Sequence, residues 1–185
     1  REEEEAILDK SEAALMAVTG KHPAGHRGPE SIIHPFTHEL LAERGYLYSS
    51  SMKDCDYAYL WEQDGKELPL VELPNDITMD DFTYYYFTFS DPAVRAMYTN
   101  REVLGNWKAE FDGLAEEGDK IFVLKLHPQM IGRASRIAMV GDFISYMKGH
   151  GAWITTCENV ARYVLNQHKL PRSGSAPEHH GKEAL

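Results

Sequence analysis

A parallel α/β fold is what this chain of 185 residues predicts. Helical and strand-like stretches alternate along it, the strand-like runs are short, β-branched and bounded by turn residues, and hairpin pairing is confined to one segment. The last three or four units of a (β/α) barrel would carry this pattern, whereas a sandwich or an all-helical bundle would not.

The elements follow in order. "REEEEAILDKSEAALMAVTG" predicts a helix with acids in its first turn, Gly20 at its C-terminal cap and an apolar face of Ile7, Ala14, Leu15 and Val18. "PAGHRGPES" reads as a short strand breaking into a Gly-Pro loop, Phe36 to Arg44 as a helix closed by Gly45, and "YLYSSS" as a strand. Residues 54 to 90 look like an insertion: a turn at Gly65, a strand "LPLVELP", then the aromatic run "DDFTYYYFTF". A helix from about Asn100 to Glu117 comes next, then a strand over Ile121 to Leu126 that ends on His127, where Pro128 holds the histidine extended. Gly132 and Ser135 supply a turn and an N-cap for a helix to about Lys148, "AWITT" predicts a strand, and Thr155 to Glu158 have the spacing of a capping box for the last helix. From His168 the tail is polar, rich in Pro, Gly and Ser, and expected to be disordered.

Composition narrows the function. With 29 acidic against 19 basic side chains the formal charge is -10, which argues against a nucleic-acid partner and suits a neutral or cationic substrate. No stretch approaches the roughly 20 apolar residues of a membrane span. The two cysteines, Cys55 and Cys157, lie outside any CxxC spacing, so a disulfide framework or cysteine zinc site is not expected and a reducing, cytoplasmic location is the natural reading. There is no Gly-rich phosphate loop and no Gly-x-Ser-x-Gly elbow, which leaves nucleotide binding and serine-hydrolase chemistry without support.

The candidate functional residues are few. A histidine at a strand's carboxyl end, as His127 is expected to be, is a candidate acid, base or ligand, the alternative being a loop histidine bonded to a backbone carbonyl. Arg27, in "GHRGPE", sits beside residues that let backbone approach a ligand and could clamp a carboxylate bidentately, or it could be a plain surface arginine. His34 and His38 share helical metal-ligand spacing, but His34 precedes Pro35 and so lies at or before the helix start, which spoils a shared face. The cluster Phe82, Tyr84, Tyr85, Tyr86, Phe87 and Phe89 could line a groove for a sugar ring or pack an insertion or subunit interface, which leaves a homo-oligomer open.

In order, these pieces resemble the polysaccharide deacetylase (NodB homology) superfamily, in its peptidoglycan-deacetylase-like and imidase-like branch. "EEEEAILDKSEAALMAVTGKHPAGHRGPES" is similar to that family's helix leading into an Arg-x-Pro motif, here Arg27-Gly28-Pro29. "LLAERGYLYSSS" resembles the helix and strand that follow, "VELPNDITMDDF" the aspartate-aromatic segment, "FVLKLHPQMIGRASRI" the closing Leu-x-His motif, and "WITTCENVARYV" the final strand and helix. The similarity runs from about residue 2 to 166 and is most specific around His127.

The resemblance implies a distorted (β/α) barrel of that type, its N-terminal strands expected before residue 1, with residues 1 to 167 the C-terminal part of a single catalytic domain and 168 to 185 a tail. It implies hydrolysis of an amide, usually the N-acetyl group of an amino-sugar polymer, with a divalent metal, zinc by expectation, held by an Asp and two His that are expected upstream of residue 1. These 185 residues alone are therefore expected to be inactive. His127 takes the role of general acid, Arg27 that of a clamp on the base, and Phe82, Tyr85 and Arg133 are expected to contact substrate. Phe82 stands where close relatives tend to have tryptophan. Two alternatives stay open: a metal-independent hydrolase of cyclic imides or ureides on the same fold, and an inactive, sugar-binding member.

Overall fold

A computed structural model describes residues 1–86 and 98–169. Its elements are α1 (Glu2–Thr19), β1 (Gly25–His26), α2 (Thr37–Glu43), β2 (Tyr48–Ser49), β3 (Tyr59–Gln63), β4 (Lys66–Glu72), α3 (Asp81–Tyr85), α4 (Asn100–Glu117), α5 (Pro128–Ile131), α6 (Ala134–Gly149) and α7 (Cys157–Lys169). They form two compact units, one from residues 1–74 with the segment that starts at Thr155, the other from residues 75–154.

The first unit is built on a four-stranded sheet in the order β1-β2-β4-β3. β1, β2 and β4 run parallel, with Gly25 opposite Tyr48 and Tyr48 opposite Val71, as the alternation of helix and strand predicts. β3 turns back antiparallel to β4 through Gly65, the hairpin expected there. The segment around "LPLVELP" is nevertheless no peripheral insertion: β4 pairs with β2, and Leu70, Val71 and Leu73 are completely buried or nearly so. A near-continuous apolar run is what a strand covered on both faces requires.

α1 corrects the sequence expectation. Ile7, Leu15 and Val18 are 57%, 46% and 87% exposed, and Leu8 is the residue that α1 buries, beside Leu40, Leu41, Tyr46 and Leu70. The face turned to the rest of the unit is ionic. Arg1 pairs with Glu39 and Glu43, Glu4 accepts from the Thr37 hydroxyl, and Arg44 reaches Asp9 and Glu12. Periodicity found the helix but not its inner face, which is lined by Leu8 and by ion pairs rather than by an apolar stripe.

The loop after β1 is demanding. A Cβ at Gly28 would collide with the Ile32 carbonyl oxygen, and Glu30 and Ser31 hold φ of 55° and 62°, a conformation rare outside glycine. α7 packs on β2, β3 and β4 and runs through Lys169, past the expected start of the tail; residues 170–185 of that tail lie outside the described residues.

In the second unit α4 and α6 pack together around Val103, Trp107, Phe111, Met139, Phe143 and Met147. α4 spans the predicted residues and starts on a full capping box, Thr99 with Glu102. Trp107 is 0% exposed and its indole Nε1 donates to the Thr78 carbonyl at 3.1 Å. Trp107→Ala is therefore expected to cost about 3–5 kcal/mol in a denaturant titration, since it opens a cavity and removes one of the two bonds to that carbonyl, the Tyr84 hydroxyl donating the other at 2.9 Å. The predicted strand at Ile121 to Leu126 reduces to one parallel bridge, Asp80 with Lys125, and "AWITT" is not in a strand either. Among the described residues only the backbone near Asp80 runs beside the first of these segments, and a ladder needs partners along its whole length.

Candidate active site

The site of interest is assembled by two crossing points of backbone in the second unit. Lys125 N–H donates to the Met79 carbonyl at 2.8 Å and Asp81 N–H to the Lys125 carbonyl at 3.1 Å, so residues 79–81 and 125–127 lie side by side. Asp80 then stops the extended run. Its Oδ1 accepts from Phe82 N–H at 2.9 Å, the N-cap that starts α3, and its Oδ2 meets Lys125 Nζ at 2.9 Å. On the other chain segment Pro128 opens α5 directly after His127, where a missing N–H costs nothing. His127 is extended, φ -107° and ψ 119°, as its position before proline predicts.

Asp81 is 0% exposed and, among the described residues, its carboxylate bonds to His127 alone. Oδ1 lies 2.6 Å from His127 Nδ1, and the backbone N–H of His127 donates to both oxygens, at 3.1 and 2.9 Å. With a carboxylate as neighbour Nδ1 carries the hydrogen, so Nε2 is left to exchange a proton. No hydrogen-bond partner for Nε2 occurs among the described residues, and the side chain is 36% exposed. Phe82 tilts over the imidazole, ring centroids 5.2 Å apart, and stacks in turn on Tyr86 at 4.3 Å. A buried acid, an oriented histidine and an aromatic wall form a proton donor or acceptor of fixed direction.

Asp80, Asp81 and His127 bring ligating atoms within 4.8 Å of one another, as a metal triad would. Their hydrogen bonding does not fit a metal shared by the three through Nδ1. A ligating Nδ1 would be unprotonated and would face the Asp81 oxygen as one acceptor against another, whereas 2.6 Å is a charge-assisted hydrogen-bond distance. Asp80 is already neutralised by the Lys125 ammonium. The trio is better described as a histidine held by one acid, with the second acid capping the helix that carries the first.

The other residues singled out in the sequence fall as follows. Tyr85 is buried in the α4–α6 core, its hydroxyl donating to Asn100 Oδ1 at 3.0 Å with Arg136 over its ring, so it packs the interior, and the expected substrate contact has no exposed surface to use. Arg133 is exposed at the N-terminal end of α6. Arg27 belongs to the first unit, where Nε donates to the Ser50 carbonyl at 2.9 Å and Nη2 to Ser50 Oγ at 2.8 Å. His34 stacks on Phe36, while His38 is 1% exposed, sandwiched against Trp61 and 3.0 Å from Glu72. The two histidines thus have separate partners and no common ligand-bearing face. Phe87 and Phe89 lie outside the described residues.

Sequence reasoning did not single out Asp81 or Glu72 as site residues. Both carried a signal: Asp81 is an acid next to a strong N-cap, and Glu72 is a lone charge in the apolar run "LPLVELP".

No family model matches this chain. It is 26% identical to a peptidoglycan deacetylase-like protein of Gibberella zeae, over 92% of the chain and 60% of that protein. Among solved structures it is similar to a candidate polysaccharide deacetylase from Mycobacterium smegmatis, with a TM-score of 0.79 and 32% identity over 95% of the chain and 60% of that structure. It is also similar to the PuuE allantoinase, with a TM-score of 0.72 and 27% identity over 88% and 52%. The chain thus spans about 60% of the first two relatives' length.

Proposed function

Since this chain belongs to the polysaccharide deacetylase superfamily, we propose that it is part of a hydrolase that removes N-acetyl groups from an amino-sugar polymer such as peptidoglycan or a chitin-like oligosaccharide. The observation that carries this reading is the His127–Asp81 pair. Amide hydrolysis fails unless the departing nitrogen is protonated, and a histidine fixed by a buried carboxylate through Nδ1, with Nε2 unpartnered among the described residues, is suited to deliver that proton. Asp81 keeps the ring in one tautomer and one orientation. Phe82 and Tyr86 offer ring faces beside the imidazole, against which the apolar face of a sugar can rest.

Arg27 takes the part of clamp on the carboxylate that serves as base, and Arg133 that of an outer substrate contact. The cofactor of the whole protein is a divalent metal, zinc by resemblance, on ligands other than Asp80, Asp81 and His127. The same reading makes residues 1 to 167 part of one catalytic domain on a distorted barrel, in a reducing compartment that suits two free cysteines; no helix among the described residues is long and apolar enough to cross a membrane.

The test is acetate release. The whole protein is expected to liberate acetate from N-acetylated glucosamine oligomers and to lose that activity with a chelator. Ring opening of a cyclic imide or ureide in place of acetate release would replace this reading with its relative.

A further inference from the structure

We infer that Glu72 is a positioning residue that orients the Arg27 guanidinium through a single peptide group, the one that joins Ser50 to Ser51. The inference rests on the reading of Arg27 as a clamp. The carbonyl of that peptide, on Ser50, accepts from Arg27 Nε at 2.9 Å. Its N–H, on Ser51, donates to Glu72 Oε1 at 2.7 Å. A carboxylate on the N–H side polarises the amide and makes its oxygen a better acceptor for the cation on the other side, so the two bonds strengthen each other.

The surroundings fix this arrangement. Glu72 Oε1 also accepts from Met52 N–H at 2.9 Å, and Oε2 is held by His38 Nε2 at 3.0 Å beneath the Trp61 ring. Ser50 Oγ, which accepts from Arg27 Nη2, itself donates to the Leu73 carbonyl at 2.7 Å, and Ser51 Oγ accepts from Gly28 N–H at 3.0 Å. Glu72 thus holds the turn after β2 through the Ser51 and Met52 N–H groups, and the same turn holds Gly28, the residue after Arg27. Glu72 is 0% exposed, and a completely buried carboxylate on a central strand is costly unless it is fully bonded. A strand this apolar would be more simply built with another valine. Burial pushes the Glu72 carboxyl up, but the bonds from His38, Met52, Ser49 and Ser51 outweigh it and hold it below its ordinary value of 4.5. The charge is therefore present at neutral pH, and its contribution is lost only as pH falls through that lower value.

Glu72→Gln in the whole protein keeps the shape and removes the charge, and it has two independent readouts. The first is the Arg27 Nε–H signal in a proton–nitrogen correlation spectrum, expected to be protected from exchange in the parent and to shift and broaden in the variant. The second is a kinetic cycle with Arg27→Ala. Glu72→Gln is expected to lower kcat by roughly tenfold with KM little changed, the size of effect typical of a group one bond removed from the site, and to lower it no further when Arg27 is already alanine. An unchanged Arg27 signal would overturn the inference, as would the same loss of kcat in both backgrounds, since Glu72 would then act by another route. A lost signal with a near-normal Arg27→Ala enzyme would leave the positioning intact and overturn the clamp reading instead.

Discussion

His127→Ala in the whole protein is expected to lower kcat by roughly 10² to 10⁴-fold, the contribution typical of a positioned general acid, while fold and metal content persist. The backbone N–H of residue 127 keeps its bonds to Asp81 in the variant, so the loop has no reason to rearrange. Steady-state kinetics and metal analysis by mass spectrometry decide the matter together. A variant with near-normal kcat would make His127 a loop residue, and one that loses a full equivalent of metal would make it a ligand.

Asp81→Asn should approach the same loss, on the order of 10² to 10⁴ in kcat, although the substitution changes hardly any volume. The asparagine oxygen can keep the His127 backbone N–H. Its amide then presents N–H to Nδ1, which must give up its hydrogen, and the ring settles in the wrong tautomer. The two losses should not add, because a ring in the wrong tautomer and an absent ring fail at the same proton. Full additivity in the double variant, or wild-type kcat in Asp81→Asn, would dissolve the pair as a functional unit.

Much of the helical framework was legible from the sequence, for reasons tied to particular residues. Gly20, Gly45 and Gly65 sit at positive φ where the pattern of turns required it, and α4 spans Asn100–Glu117 because its apolar spacing and its termini agree. The run before His127 predicts a strand and forms a single bridge, since a strand exists through its neighbours and a β-branched run says nothing of who they are. The inner face of α1 was hidden for a related reason: Arg1, Arg44 and their acid partners lie 30 or more residues apart in sequence, and no local pattern registers such pairs. His127 was found by its place before a proline. Its partner Asp81 lies 46 residues away, so the sequence offered the acid only as one of two adjacent aspartates ahead of an aromatic.

Asp81 grips His127 twice, at the ring and at the main chain, and this has a consequence for timing. An imidazole so held cannot turn over within a catalytic cycle to present its other nitrogen. In the proposed reaction the proton surrendered at Nε2 must be replaced at Nε2, so discharge and recharge share one doorway. The product amine has to clear that doorway before the next proton can enter, and each cycle acquires a fixed order: release first, reload second.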